Sequence, residues 1–251
     1  MLLKAAINGG RPVSEHPAVP RTTEQIVEAS RAAIAAGADV VHAHVLTPEG
    51  EQTIHPDAIG AWVRAMRMAD PAVIIGTTTG LWTVESHAER MSHLRAWPAD
   101  ALPDFASVAF CEDGAAEAAE LVLERGMILE SAVWTMEDVP ALLASSTLDR
   151  NVRILIEPET EDPDEAVAQC RLIAALLREA GVDAPILYHG YDETVWPVVE
   201  AAIADGCETR IGFEDGVLLP DGGMPADNAE LVRVVRALES SVAGRHAVGR
   251  R

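Results

Sequence analysis

Short apolar runs alternate with longer amphipathic stretches along the whole chain, the signature of repeated βα units. The apolar runs at residues 2–8, 40–46, 73–78, 105–110, 127–133, 153–157, 186–189 and 209–213 read as eight strands. Each is followed by a segment rich in Ala, Leu, Glu and Arg at helical spacing, clearest over 23–36, 163–180, 193–205 and 227–240. Thr22 or Thr23 is the expected cap of the first helix, and Gly37 its end. Asp227 and Glu230 form a D-x-x-E start to the last helix, close to a capping box. Eight such units without a long linker fit one α/β domain, a closed (β/α)8 TIM barrel, which typically takes about 250 residues. The chain after Ser241 is expected to fray.

Composition narrows the function classes. Apolar residues make up 49% of the 251, enough for a full core, and no stretch approaches the roughly 20 apolar residues of a membrane span. Met1-Leu2-Leu3-Lys4 runs straight into a strand without a basic start or cleavage site, so a cytoplasmic location is expected. The net charge of −21 disfavours nucleic acid and anionic membranes as partners. Cys111, Cys170 and Cys207 are widely spaced, which argues against a disulfide framework or a zinc knuckle.

Barrel active sites lie at the C-terminal ends of the strands. There the segment Val40-Val41-His42-Ala43-His44-Val45-Leu46 is the most informative. Period two puts His42 and His44 on one face, Cα atoms about 7 Å apart, so both rings can converge on one ion. Burying two bare imidazoles costs several kcal/mol, which a metal or ordinary hydrogen bonds would offset. On strand eight, Arg210, Gly212 and Glu214 share a face by the same alternation, with Ile211 and Phe213 toward the helices. Glu214 would complete a His2Glu site of the kind zinc takes, with positions left open. Asp215 follows as a candidate base or acid. A structural Arg–carboxylate pair is the alternative.

These segments resemble the β-keto acid cleavage enzymes. The likeness runs from Ala5-Ala6-Ile7-Asn8-Gly9 through Val19-Pro20-Arg21-Thr22-Thr23-Glu24, Ala36-Gly37-Ala38-Asp39-Val40-Val41-His42-Ala43-His44 and Thr78-Thr79-Gly80 to Arg210-Ile211-Gly212-Phe213-Glu214-Asp215 and Asn228-Ala229-Glu230-Leu231-Val232. The resemblance implies a zinc-dependent barrel, usually a homo-oligomer (dimer or tetramer). The implied reaction converts a β-keto acid and acetyl-CoA into acetoacetate and a new acyl-CoA. It assigns His42, His44 and Glu214 to the metal and Arg210 and Asp215 to catalysis. It places Thr78 and Ser107, with neighbouring Thr79 and Gly80, at the carboxylate end of the keto acid.

Several positions depart from that pattern. Where the family carries an acidic residue for a substrate amine, this chain has Arg11, which suggests an anionic or polar substrate tail; Glu15 and His16 stand close by. Leu81 and Trp82 replace a glycine turn and would narrow the pocket. Ala109 and Ala132 replace an Asn and a relay carboxylate, with Glu130 two residues before Ala132 on the same face. Glu157 and His189 enter the barrel mouth, where CoA phosphates or substrate would lie. Thr77-Thr78-Thr79-Gly80 is a candidate anion nest. His55, His87 and His93 read as surface residues, and Cys111 as structural. A metal-dependent lyase or hydrolase acting without CoA, and a non-catalytic binding barrel, are the competing functions.

Overall fold

A computed structural model describes the backbone of residues 1–248 and the side chains of residues 1–242. Eight parallel strands close into a barrel in sequence order: β1 (Leu3–Ala6), β2 (Val40–His42), β3 (Ile75–Thr78), β4 (Phe105–Ala109), β5 (Ile128–Val133), β6 (Asn151–Ile156), β7 (Ile186–Tyr188) and β8 (Glu208–Ile211). The helices α1 (Thr23–Ala35), α2 (Pro56–Ala69), α3 (His87–Ala96), α4 (Ala115–Glu124), α5 (Val139–Leu143), α6 (Pro163–Glu179), α7 (Val195–Asp205) and α8 (Asn228–Val248) follow them in turn. The expected single (β/α)8 architecture is therefore present. Thr22 caps α1 and forms a capping box with Gln25. Helix α8 continues to Val248, past the point where fraying is expected; residues 249–251 lie outside the described residues. No helix among the described residues is long and apolar enough to cross a membrane.

β1, β2 and β8 end two or more residues before the apolar runs that announce them. The leftover residues form the loops at the barrel mouth. Closure rests on the pairing of β1 with β8, Lys4 opposite Arg210. There Gly212 is obligatory, because a Cβ at this position would sit 1.8 Å from the Ala6 carbonyl oxygen. Gly76 likewise leaves space for the Phe105 ring, which stacks on His42 with ring centroids 6.4 Å apart.

An ion cluster fills the barrel floor. Glu130 accepts from Lys4 and from Arg153, and Arg153 also donates to Glu208. Lys4 and Glu130 are fully buried. Glu130 thus neutralises floor cations and does not line the active-site cavity, so it cannot replace the relay carboxylate missing at Ala132. Glu130→Ala would leave Lys4 and Arg153 buried without their shared partner. It is expected to cost about 3–5 kcal/mol and to lower the thermal midpoint by on the order of 10 °C. Denaturation curves check this, and an unchanged midpoint would refute the assigned role.

Candidate active site

His42 closes β2, and His44 lies in the loop beyond it. The alternation nevertheless persists past the last ladder bond. The two Nε2 atoms are 3.1 Å apart and the rings are edge-on at 71°. Two loops build the remainder. After β8 the chain makes a tight turn, with Asp215 N and Gly216 N donating to the Gly212 carbonyl. This turn, rather than a continued strand, aims Glu214 at the histidines and sends Asp215 inward too. Glu214 Oε1 stands 3.4 Å from His44 Nε2, and Oε2 stands 3.8 Å from His42 Nε2.

Three residues to which the sequence alone assigns no role hold this geometry. Asn8, just past β1, clamps the His44 backbone reciprocally at 2.9 Å on both sides. Asn228, at the start of α8, accepts from Phe213 N (2.8 Å) and donates to the Ile7 carbonyl (3.0 Å), tying the turn to β1. Residues 45–53 fold back as a small antiparallel hairpin that carries Gln52. The His44 Nδ1–H donates to Gln52 Oε1, which leaves the His44 Nε2 lone pair facing His42 and Glu214. The sequence marks Asn8 and Asn228 as parts of the segments that carry the family resemblance, and Asn8 as a polar residue ending an apolar run, but gives neither a role.

The three side chains fit a divalent cation. Ligand atoms on a tetrahedral zinc at about 2.1 Å lie roughly 3.4 Å from one another, comparable with the 3.1, 3.4 and 3.8 Å seen here. Glu214 Oε2 is buried without a hydrogen-bond partner. Burial holds His42 well below the usual imidazole range, the neutral form that ligates metals. Burial opposes ionisation of Glu214, yet Arg210 and then the two histidines hold it well below the usual carboxylate range. Burial opposes protonation of His44, but Glu214 and Gln52 raise it above the usual imidazole range. A cation held by the two rings and the ionised carboxylate would take the place of that proton and would keep a position open for water or substrate.

Arg210 and Asp215 stand beside these ligands. Arg210 donates to Asp215 Oδ1 through Nε (3.0 Å) and Nη2 (2.6 Å), and Nη2 also reaches Glu214 Oε1 at 2.6 Å. His189 Nε2 donates to the same Asp215 Oδ1 at 2.8 Å, while Asp215 Oδ2 is buried without a partner. His189 Nδ1 meets Glu157. Burial and the Arg210 guanidinium oppose protonation of His189, but Glu157 and Asp215 outweigh them and raise it to about 8. Burial also opposes ionisation of Glu157, and the imidazolium together with Arg210 brings it down to about 2. A folded-state value above the ordinary 6.5 means that His189 stabilises the fold fully below pH 6.5. That contribution, of about 2 kcal/mol, fades as pH rises through about 8. Ring titration by NMR should show this midpoint, and Glu157→Gln should lower it; a wild-type midpoint at or below 6.5 would refute the arrangement.

The histidine pair, Glu214 and Arg210 open into a cavity of about 840 Å³, whose lining includes Arg11, Thr78, Gly80, Ser107, Glu157 and His189; Asp215 is buried behind Arg210 and His189 and is not part of that lining. Thr79 departs from expectation. It is fully buried, and its hydroxyl donates to the Ser107 carbonyl. Alternation sends Thr77 and Thr79 outward and only Thr78 inward, so the threonine run is not a complete anion nest. Arg11 lines the cavity, but its donors are engaged by Glu15, Asp192 and the carbonyls of Glu214 and Asp215, and its guanidinium lies 4.2 Å over the Tyr191 ring. It is therefore not the free cation that an anionic substrate tail requires. His16 is buried away from the cavity, bonded to the Pro225 carbonyl and packed on Phe213. Desolvation, with Asp138 and Glu112, pushes the thiol of the exposed Cys111 up to about 12, which leaves it a poor nucleophile.

Comparisons with known proteins reach over nearly the whole chain. The family description "beta-keto acid cleavage enzyme" matches residues 1–247. A 3-keto-5-aminohexanoate cleavage enzyme of Acetoanaerobium sticklandii is 27% identical over 254 residues, covering 94% of this chain and 90% of that protein. A 3-oxoadipate:acetyl-CoA acetyltransferase of Cupriavidus necator is 34% identical over 80 residues, 32% of this chain and 28% of that protein. Among solved structures, the ternary complex of ObcA with C4-CoA adduct and oxalate has a TM-score of 0.72 at 19% identity, covering 92% of this chain. The chain spans 65% of the ObcA chain, and the likeness is one of fold. With the family match running from the first strand into the last helix, over the barrel that carries the histidine pair and the Glu214 turn, the chain belongs to the beta-keto acid cleavage enzyme family.

Proposed function

We propose that the chain is a zinc-dependent enzyme that converts a β-keto acid and acetyl-CoA into acetoacetate and a new acyl-CoA. The observation that carries this reading is the convergence of His42, His44 and Glu214 in one cavity with the Arg210–Asp215 pair directly beside them. The names of the relatives support a β-keto acid as substrate and acetyl-CoA as its partner. A cytoplasmic homo-oligomer belongs to the same reading.

Thr78, Gly80 and Ser107 line the wall where the acid's carboxylate is received. When bound, the metal supplies a Lewis acid that polarises the keto oxygen. Asp215, buried behind Arg210 and His189, takes a proton from the carbon between the two carbonyl groups, directly or through a water held by Arg210. Its Oδ1 is held by Arg210 and His189, and its Oδ2 has no competing donor. Arg210 offsets the negative charge that develops. The carbanion equivalent attacks the thioester carbonyl and expels the CoA thiolate. That thiolate adds to the original keto carbon, the carbon chain splits in a retro-Claisen step, and Asp215 returns its proton to the acetoacetate released. No protein nucleophile is required.

A second reading, a metal-dependent lyase or hydrolase acting without CoA, draws on one observation. Glu157, Glu159, Glu161, Asp192 and Glu193 line the mouth, and carboxylates there repel phosphate. Mixing zinc-loaded protein with a panel of β-keto acids, with and without acetyl-CoA, separates the two. Acetoacetate together with a new thioester, formed only when acetyl-CoA is present, is expected. Turnover without it selects the second reading, and no turnover in either case refutes both.

A further inference from the structure

The cavity has two unlike halves. The candidate metal ligands, Arg210 and Thr78 come from β8, β2 and β3 and the loops that follow them. Facing them, β4 to β7 contribute a row at a single level. Ala109 pairs in register with Ala132, Ala132 with Leu155, and Leu155 with Leu187. These four form a hydrophobic cluster of their own, separate from the core between barrel and helices, with Trp134 packed on it. Ala109, Ala132, Leu155 and Trp134 line the cavity. The part of the row that lines it, from β4 to β6, spans two strand spacings, roughly 10 Å. The Trp134 ring continues outward to Trp82, ring centroids 6.3 Å apart.

Charge near this row is already paired. Among the described residues lining the cavity, the guanidinium and ammonium groups are those of Arg11 and Arg210. Both are engaged, Arg11 by Glu15 and Asp192 and Arg210 by Glu214 and Asp215. The His189 ring lies between Glu157 and Asp215. An anionic tail on the row would lose its hydration without gaining a cation. A cationic tail would fare no better, because Glu159, Glu161 and Glu193 are exposed to solvent, and burying an unpaired charge is expensive.

We infer that the acyl part of the keto acid, beyond its keto carbon, is an uncharged apolar chain that rests on Ala109, Ala132 and Leu155 against Trp134. This deepens the cleavage reading and rests on it. It also reverses the expectation that Arg11 receives an anionic tail.

Three acids with the same six-carbon backbone test it: 3-oxohexanoate, 3-oxoadipate and 3-keto-5-aminohexanoate. Each is offered to the zinc-loaded wild-type protein with acetyl-CoA for kcat/KM, and without thioester for calorimetric binding. The neutral acid is expected to be favoured over both charged ones by at least about a hundredfold. Lengthening its alkyl chain by one methylene at a time should raise affinity by about fourfold per step until the row is covered. Preference for either charged acid, a flat response to chain length, or binding of none of the three would overturn the inference. If nothing is turned over with acetyl-CoA while the binding order holds, the cleavage reading fails and the apolar tail site stands. Ala132→Asp should lower the affinity for 3-oxohexanoate by at least tenfold.

Discussion

Replacing His44 by Ala is expected to strip the protein of its metal and to lower turnover by at least about a thousandfold, the several kcal/mol that a Lewis acid contributes to charge stabilisation. His44 is the candidate ligand to which the surrounding structure commits most. Asn8 clamps its backbone from both sides, and Gln52 holds its Nδ1–H so that Nε2 faces His42 and Glu214. With the ring gone, one imidazole and one carboxylate remain, and the carboxylate falls back on Arg210, already 2.6 Å away. The Asn8 bonds go to the main chain and survive the substitution, so folding is preserved. Metal content after dialysis, read beside the denaturation midpoint of the metal-free protein, separates ligand loss from misfolding. A His44→Ala protein that retains one tightly held zinc per chain and full turnover would remove the foundation of the proposed chemistry.

Asp215→Asn is expected to reduce kcat by about 10²- to 10⁴-fold, the contribution of a positioned base. The keto acid's KM should change little. Asn has nearly the same shape and its amide oxygen can still accept from Arg210 and His189, so the pocket keeps its form while losing a site for the proton. The same substitution has a second readout. Asp215 is one of the two carboxylates that raise His189 to about 8, so the histidine's midpoint should fall in the variant. Lower kcat together with a lower His189 midpoint identifies Asp215 as both proton acceptor and partner of that ring. An unchanged kcat would assign the base to another group.

Much of this site was legible along the chain, for local reasons. The eight alternating apolar runs foretold the barrel, because a strand buried against helices has little choice of composition. The H-x-H spacing of His42 and His44 conveyed their shared direction even though β2 ends at His42, since near-extended backbone keeps its period of two beyond the last ladder bond. The same rule separated Thr78 from Thr77 and Thr79 once the edge of the cavity was known. Glu214 does lie with the two histidines in one cluster, but strand alternation is not the cause. A tight turn after Ile211 swings both it and Asp215 into the barrel.

What the tertiary structure alone decided is the choice of partner. Arg11 looked like a free cation until barrel closure brought Asp192, 181 residues away in sequence, against it. Glu130 shares a strand face with Ala132 in the sequence, but the depth of its position places it between Lys4 and Arg153. The row of Ala109, Ala132, Leu155 and Leu187 is four ordinary apolar residues in four separate strands until parallel register aligns them. Periodicity and side-chain type are properties of a few consecutive residues, so they can be read directly from the chain. Whether a charge is free or paired, and whether scattered apolar groups form one surface, depends on which distant strands become neighbours when the barrel closes.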